Sequence, residues 1–229
     1  YGQYINNEIT DKERKFIVEN ACDKKCGSCS GFYTANTMAC LLEVMGLTLP
    51  NSSSNMSLSI PKFKECYVAS DIIDNLIKKD IKPSDIITKE SFNNAIKLLN
   101  IIGGSTNAVI HLLAMAKEIN IDLTLDDFTK YENIPILLNV KPHGKYAMHD
   151  IYLKGGTSYL LKYLIDCDVI DGNQKTITGK TLKENVSNSD LYEKNNLIYP
   201  IEPPYKKNSH IKILKGNMFS LDTDVRGKK

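Results

Sequence analysis

The strongest constraint on folding in this sequence is the regular placement of apolar residues between positions 108 and 119. They recur every three or four residues, at Ala108, Val109, Leu112, Leu113, Ala116 and Ile119. This spacing matches the 3.6-residue turn of an α-helix and gives the segment one apolar face. The stretch 103–107, which opens with two glycines, precedes it as a turn. The pattern predicts a helix that buries one face in a protein core.

Further helices and short strands are expected elsewhere in the chain. Thr10, followed by the acidic residues Asp11 and Glu13, predicts the start of a helix that runs to about residue 20. Thr124 and Asp127 predict the capping box of a short helix. The other predicted helices run from residue 33 or 34 to 45, from 70 to 79, from 88 to 99, and from the glycines at 155–156 to about 166. The predicted strands cover residues 134–140, 198–200 and 210–214.

The alternation of helices with short apolar strands predicts an α/β fold in which helices flank a sheet. We expect this domain to occupy residues 1–190. Residues 171–197 are polar and resemble a linker, and the segments predicted after them are strands. Residues 191–229 are therefore expected to begin a separate β domain.

Composition excludes several classes of protein. Apolar residues make up 42% of the 229 residues, which is typical of a folded globular chain. The net charge is +2, with both signs dispersed, so no basic surface for nucleic acid is predicted. Every apolar stretch is shorter than the roughly 20 residues that a membrane-spanning helix needs. We expect a soluble protein that binds neither nucleic acid nor a membrane.

Three of the six cysteines are clustered near the N-terminus, at Cys22, Cys26 and Cys29. The spacing C-x3-C-x2-C can direct three thiolates to one metal centre and occurs in radical S-adenosylmethionine enzymes. Ser28 stands where those enzymes usually carry an aromatic residue, and a helix rather than a barrel strand precedes the loop. A structural zinc site would require a fourth ligand nearby. Free thiols in a loop are the third interpretation.

The residues that follow these cysteines carry a family resemblance. The segment 27–38, Gly-Ser-Cys-Ser-Gly-Phe-Tyr-Thr-Ala-Asn-Thr-Met, and the segment 43–54, which ends in Pro-Asn-Ser-Ser-Ser, resemble signatures of the dihydroxy-acid dehydratases. Residues 103–109, 141–146, 155–157 and 213–217 continue the resemblance in the same order. Because the motifs are separated and collinear over nearly the whole chain, they are far more specific together than singly.

The resemblance implies an iron–sulfur cluster, 2Fe-2S or 4Fe-4S, and Mg²⁺ as cofactors. Cys29 matches the last of the family's three cluster cysteines, and the other two would lie upstream of Tyr1. Cys22 and Cys26 match no ligand. Cys22-Asp23-Lys24 imitates the family's magnesium motif at the wrong position. The family's catalytic base, a serine alkoxide, would lie beyond Lys229, so no catalytic residue is assigned within this chain.

Other candidate site residues have two interpretations each. Ser105 and Thr106, at the turn before the helix at 108–119, could bind a carboxylate through free backbone N–H groups or simply cap the helix. Thr34 and Asn36 could orient Cys29 or a bound water, or cap their own helix. Lys141, His143 and Lys145 form a polar turn that is expected to be solvated, with a position facing the cleft as the alternative. His111 is expected in the core or at an interface. A loop is expected at Ser52, Ser53 and Ser54, and packing roles at Cys40, Cys66 and Cys167.

The function that the resemblance implies is dehydration of 2,3-dihydroxy-3-methyl acids to 2-keto acids in valine, isoleucine and leucine biosynthesis. The alternatives are a sugar-acid dehydratase, such as 6-phosphogluconate dehydratase, and an inactive truncated relative. The absence of an initiator Met suggests a stretch of a longer protein, whose isolated fragment should be inactive. We further expect a homodimer, located in the cytoplasm if bacterial and in a mitochondrion or plastid if eukaryotic.

Overall fold

The computed structural model describes residues 1–21, 29–216 and 224–227, the last of these for the backbone alone. The helices of these residues are α1 (Gly2–Ile5), α2 (Asp11–Asn20), α3 (Thr34–Val44), α4 (Ile60–Lys78), α5 (Pro83–Ile86), α6 (Lys89–Ile101), α7 (Asn107–Glu118), α8 (Leu125–Thr129), α9 (Met148–Leu153), α10 (Gly156–Asp166) and α11 (Leu182–Val186). The strands are β1 (Ile211–Leu214) and β2 (Asp224–Gly227).

The predicted helices with clear start signals are confirmed. At α2 the Thr10 hydroxyl accepts the backbone N–H of Glu13, while the Glu13 carboxylate accepts the N–H of Thr10 at 2.7 Å. At α6 the Thr88 hydroxyl accepts the N–H of Ser91 at 3.1 Å. These bonds satisfy N–H groups that have no partner within the first turn of a helix. The capping residues therefore fix where these helices begin.

Helix α4 begins ten residues earlier than the predicted helix at 70–79. The Ser59 hydroxyl accepts the N–H of Lys62 at 3.3 Å, and Pro61 occupies the first turn, where its missing N–H costs nothing. This Ser-x-Pro pattern in the sequence indicates a helix start, but the polar stretch before it is typical of a loop. Between the predicted helices at 70–79 and 88–99 lies a further short helix, α5.

The expected helix-flanked sheet is not found within the described residues, which are helix-rich. The predicted strand at 134–140 is extended, but its N–H groups go to three separate segments. Ile136 donates to Lys206, Leu137 to the end of α6, and Asn139 to Leu197. Only isolated bridges form, because no single neighbour runs alongside. The sheet that does form pairs β1 with β2 antiparallel, from Ile211 opposite Gly227 to Leu214 opposite Asp224.

Helices α3, α6, α7 and α10 enclose the core, where Leu41, Val44, Leu98, Leu99, Leu112 and Leu164 are fully buried. Burial of each such side chain contributes roughly 1.5–3 kcal/mol to the free energy of folding. Leu197, Ile198 and Ile211 pack into the same cluster. The domain boundary near residue 190 stays a prediction. Within the described ranges, no helix combines the length and the apolar character that crossing a membrane requires.

Candidate functional site

The loop that carries Cys29 is fixed by hydrogen bonds to its backbone. The Asn36 side-chain amide, 7% exposed, donates to the carbonyls of Cys29 at 2.9 Å and Gly31 at 2.8 Å. The Ser30 carbonyl accepts the N–H of Met148 at 2.8 Å. The thiol of Cys29 is half-buried and contacts the Gly31 carbonyl at 3.5 Å. The backbone beneath the thiol is therefore held in one conformation.

Gly31 is required in this loop because another backbone passes against it. A Cβ at this position would lie 2.5 Å from the carbonyl oxygen of Lys141. The next residue, Phe32, is buried and donates its N–H to the same carbonyl at 2.7 Å. The Cys29 loop is thus pinned between α3 and the turn at 141–146.

Helix α3 carries residues that hold two loops, the Cys29 loop and the loop at 50–57, between which a pocket lies. Asn36, Ala39 and Glu43 are spaced three and four residues apart, which places them on one face of the helix. Asn36 holds the Cys29 loop, and Glu43, about 10 Å further along the helix axis, holds the loop at 50–57. Ala39 lines the space between them. Its small side chain leaves that space open.

Glu43 binds the loop at 50–57 through three donors. Its Oε1 accepts the N–H of Asn51 at 2.8 Å, and its Oε2 accepts the N–H and hydroxyl of Ser53 at 3.0 and 2.6 Å. Because the Ser53 hydroxyl donates to Glu43, the Thr157 hydroxyl donates to Ser53 Oγ, at 2.6 Å. Asn51, Glu43, Ser53 and Thr157 are thus joined by a chain of partly buried hydrogen bonds.

The same loop caps helix α10, whose N-cap residue is a glycine without a side chain. Asn51 Oδ1 accepts the N–H of Ser158 at 2.8 Å, and Ser54 Oγ accepts the N–H of Thr157 at 3.0 Å. Gly156 has φ +77°, and a Cβ there would meet both capping side chains. The segments Pro-Asn-Ser-Ser-Ser (50–54) and Gly-Gly-Thr (155–157) therefore pack against each other.

Between the two loops lies a pocket of about 260 Å³, of mixed polar and apolar lining. It is lined by Cys29, Ala35, Asn36, Ala39, Ser52, Ser53, Ser54, Asn55, Met56, Ser57, Lys62, Met148 and His149. Lys62 is the cation of this lining, and its ammonium is held by Glu65 at 2.9 Å and by the Ser52 carbonyl at 2.8 Å. Such a pocket suits a small ligand with oxygen functions.

Burial changes the acidity of two groups behind the pocket wall. Burial raises the pKa of Glu43 to about 7, against the lowering effect of its hydrogen bonds to Ser53 and Asn51. Burial also raises the pKa of the Cys40 thiol to about 12. Cys40 is therefore a protonated packing residue, as its sequence context predicts. Cys66 and Cys167 are exposed, so the packing role predicted for them is wrong.

Three of the predicted site residues, Thr34, Ser105 and Thr106, lie close together, but they do not line this pocket. The hydroxyls of Thr34 and Ser105 are 3.1 Å apart, and the Asn107 amide donates to Thr34 at 2.9 Å. Ser105 donates its N–H to the Thr37 hydroxyl at 3.0 Å, and Asn107 donates its N–H to Ser105 Oγ. Because these N–H groups already have acceptors, the contacts favour helix capping over a carboxylate seat. Thr106, the N-cap of α7, makes no side-chain cap bond.

Two histidines lie on the other side of that turn. The rings of His143 and His210 are 5.0 Å apart, and His210 Nε2 contacts the Gly104 carbonyl at 2.5 Å. Burial lowers the pKa of His210 to about 4, so its ring is neutral at pH 7. His111 is exposed, which excludes the predicted core role and leaves an interface role.

Sequence reasoning missed three residues that shape the pocket. In the sequence, Glu43 is only one member of the segment 43–54, and no pattern gives Lys62 or His149 a role near Cys29. His149 Nδ1 lies 3.0 Å from Met56 Sδ, across the pocket wall. A carboxylate among the apolar residues of the second half of α3 is the signal for Glu43. No local pattern marks the other two.

The residues around Cys29 fit an iron–sulfur cluster in part. A thiolate is the ligand that such clusters prefer, and Cys29 supplies one from a fixed loop at a pocket. Over the described ranges, no three His, Cys, Asp or Glu side chains lie close enough together to hold a metal ion. The pocket lining contains no carboxylate, so these residues do not fit Mg²⁺. Cys22 and Cys26 lie outside the described residues.

Comparison with known proteins identifies the family. Residues 1–185 match the family described as dihydroxy-acid/6-phosphogluconate dehydratase, N-terminal. The chain is 46% identical over 220 residues to a dihydroxy-acid dehydratase of Francisella tularensis subsp. novicida, covering 95% of this chain and 39% of that protein. It is 48% identical over 220 residues to a mitochondrial dihydroxy-acid dehydratase of Aspergillus fumigatus, covering 95% and 36%.

A dihydroxy-acid dehydratase of Flavobacterium psychrophilum is 46% identical over 219 residues, with 95% of this chain and 39% of that protein covered. The chain thus spans about two fifths of the length of these relatives. The match extends over more than half of the chain and includes Cys29 and the two loops that form its pocket. The chain therefore belongs to the dihydroxy-acid/6-phosphogluconate dehydratase family.

Proposed function

We propose that the protein to which this chain belongs is a hydro-lyase that converts 2,3-dihydroxy-3-methyl acids into 2-keto acids for branched-chain amino-acid biosynthesis. The observation that carries the proposal is the half-buried thiol of Cys29, held by Asn36 at the edge of a polar pocket. The relatives named dihydroxy-acid dehydratase support this choice of substrate over sugar acids.

The reaction removes a hydroxyl from C3 and a proton from C2, releases water, and leaves an enol that becomes the 2-keto acid. When bound, an iron–sulfur cluster supplies a Lewis acid for the departing hydroxyl. Cys29 would hold that cluster as one of its ligands. The residues of this chain would otherwise enclose the substrate, whose acid and hydroxyl oxygens match the hydroxyl and amide donors of the pocket.

The roles of the neighbouring residues are part of the proposal. Asn36 fixes the carbonyls on either side of Ser30 and so orients the Cys29 thiol. Thr34, Ser105 and Thr106 form the next layer, where the Thr34 and Ser105 hydroxyls contact each other. We assign them to support of α3 and α7 near the site. Magnesium remains a proposed cofactor whose ligands lie outside the residues described.

Substrate specificity of the full-length protein tests the proposal. Purified anaerobically with its cluster, it should convert 2,3-dihydroxy-3-methylbutanoate to the 2-keto acid, detected as its hydrazone. Gluconate and 6-phosphogluconate serve as competing substrates. A higher kcat/KM for either of them would overturn the proposed substrate and favour a sugar-acid dehydratase. No turnover of any of the three by cluster-loaded protein would favour an inactive relative.

The larger-scale features of the protein are proposals as well. A C-terminal β-barrel-type domain would begin after residue 190. The protein would form a homodimer, and apolar side chains that α4 leaves exposed offer a surface for it. Its location would be the cytoplasm in a bacterium and a mitochondrion or plastid in a eukaryote. The Aspergillus fumigatus relative is named as mitochondrial.

A further inference from the structure

We propose that Glu43 is a positioning residue that sets the serine-bearing wall of the Cys29 pocket, Ser52–Ser54, through its bonds to Asn51 and Ser53. Glu43 does not line the pocket itself. It would act on substrate through the loop that it holds. The kinetic part of this inference rests on the proposed function, while the loop geometry does not.

The donors of the loop match the acceptor that Glu43 provides. A carboxylate only accepts hydrogen bonds, and Glu43 receives two backbone N–H groups and one hydroxyl. A glutamine has the same shape, but its NH₂ group would face at least one N–H donor. The donors at Asn51 and Ser53 are therefore matched better by the acceptor oxygens of a glutamate than by a glutamine, whereas burial opposes the charge of that carboxylate.

The buried position of the Glu43 carboxylate is energetically unfavourable. Glu43 is 3% exposed, and no ion pair to it occurs among the residues that the structure describes. The ionisable groups that act on it are the Glu65 carboxylate and the Cys40 thiol, and neither supplies a positive charge. Burial of an unpaired charge is unfavourable, so an apolar residue would stabilise α3 better. The Glu43 carboxylate instead fixes the conformation of the loop at 50–57.

The loop at 50–57 has two partners, Glu43 and the start of α10. Asn51 and Ser54 cap α10, and Ser53 joins the hydroxyl of Thr157 to Glu43. Loss of the Glu43 contact would leave the caps but release Ser53, which lines the pocket. The expected consequence is a displaced pocket wall on a folded protein. Displacements of this kind cost catalysis more than stability.

The test compares Glu43→Gln with Asp127→Asn in the full-length, cluster-loaded protein. Asp127 is the matched control, since it is a buried carboxylate that accepts a backbone N–H, from Thr124 at 2.8 Å, but it lies in α8 away from the pocket. Glu43→Gln should lower kcat/KM for the dihydroxy acid by about tenfold or more, mainly through KM, with iron and sulfide per chain unchanged. Asp127→Asn should lower the melting temperature and leave KM unchanged.

Hydrogen exchange separates this inference from the proposed function. In Glu43→Gln the amides of residues 51–57 should exchange at least about tenfold faster, whether or not the protein turns over a dihydroxy acid. If Glu43→Gln does not fold, Ser53→Ala supplies the same test by removing only the hydroxyl. An unchanged exchange rate in that loop, or equal KM values for Glu43→Gln and Asp127→Asn, would overturn the positioning role.

Discussion

At the scale of single residues, the site depends on the side-chain amide of Asn36, which fixes the backbone of the Cys29 loop. Asn36 is buried on the face of α3 that meets the Cys29 loop and donates to two carbonyls of that loop. A buried carbonyl without a hydrogen-bond donor is unfavourable, because it has lost its hydration and gained no hydrogen bond in exchange. The backbone that carries the Cys29 thiol is thus fixed by a neighbouring side chain, Asn36.

Asn36→Ala should lower the free energy of unfolding of the full-length protein by about 1–3 kcal/mol, because it leaves two carbonyls without their donor. Urea unfolding measures it. Asn20→Ala is the control, since Asn20 donates to the Phe16 carbonyl on the exposed surface of α2. Its effect should stay within about 0.5 kcal/mol. Equal losses in the two variants would contradict the role of Asn36 in holding the loop.

Glu43 predicts a dependence of stability on pH. Its pKa is raised from 4.5 to about 7 in the folded protein. Its contribution to stability is therefore fully present below pH 4.5 and is lost as the pH rises through 7. Relative to Glu43→Gln, the wild type should lose about 2.5 kcal/mol of unfolding free energy between pH 5 and pH 8. Urea unfolding at several pH values measures this.

Asp127 provides the opposite case in the same experiment. Hydrogen bonds to Lys130, Lys89 and Thr124 outweigh burial and hold the pKa of this carboxyl below its usual value. Its contribution is present above its unfolded pKa and is lost only in acid. The difference between wild type and Asp127→Asn should stay constant from pH 5 to pH 8. A wild type that gains stability relative to Glu43→Gln as the pH rises would contradict the raised pKa of Glu43.

At the scale of elements, α3 and the start of α10 hold the pocket wall between them. Asn51 and Ser54 supply the caps that Gly155 lacks at α10. The glycines allow this because Gly156 takes φ +77° and leaves room for both capping side chains. The loop and the helix start are therefore one structural unit made of two distant motifs.

Gly156→Ala should break this unit. Its Cβ would contact Asn51 Oδ1, lie 2.7 Å from Ser54 Oγ, and require a left-handed backbone. We expect a loss of about 1–3 kcal/mol or more in unfolding free energy, with faster hydrogen exchange at 50–57. Gly2→Ala is the control, because nothing lies within 4 Å of its Cβ. A stable Gly156→Ala protein with unchanged exchange would show that the two motifs do not depend on each other.

The elements also show what sequence could and could not predict. Helices with a capping residue and an apolar period, such as α2, α6 and α7, are confirmed because both signals are local. The segment 134–140 was predicted as a strand of a sheet, but its partners come from three distant places. An apolar run specifies burial and extension, while pairing depends on tertiary neighbours. For the same reason Lys62 and His149 could not be placed near Cys29.

At the scale of the whole molecule, α4 leaves apolar side chains on the surface. Ile60, Phe63 and Tyr67 are spaced three and four residues apart on one face, and each is more than half exposed. No residue of α4 is buried. Apolar stripes of this kind mark surfaces that meet another chain or segment.

If the proposed homodimer uses this face, Phe63→Lys with Tyr67→Lys should convert the full-length protein from dimer to monomer. Charge on a buried apolar interface is strongly unfavourable. Sedimentation velocity measures the mass of wild type and variant at equal concentration. Ile110→Lys, at an exposed apolar position of α7, is the control and should sediment as the wild type does. A dimeric double variant would place the interface elsewhere.

The central claim is that Cys29 is a ligand of an iron–sulfur cluster, and the metal content of the full-length protein tests it most directly. Wild type and Cys29→Ala should be purified anaerobically and assayed for iron and acid-labile sulfide per chain, with the cluster absorbance recorded. Cys66→Ala, which removes an exposed thiol outside the pocket, is the control. We predict that Cys29→Ala loses most of its iron and sulfide while Cys66→Ala retains both. An unchanged cluster in folded Cys29→Ala would contradict the assignment.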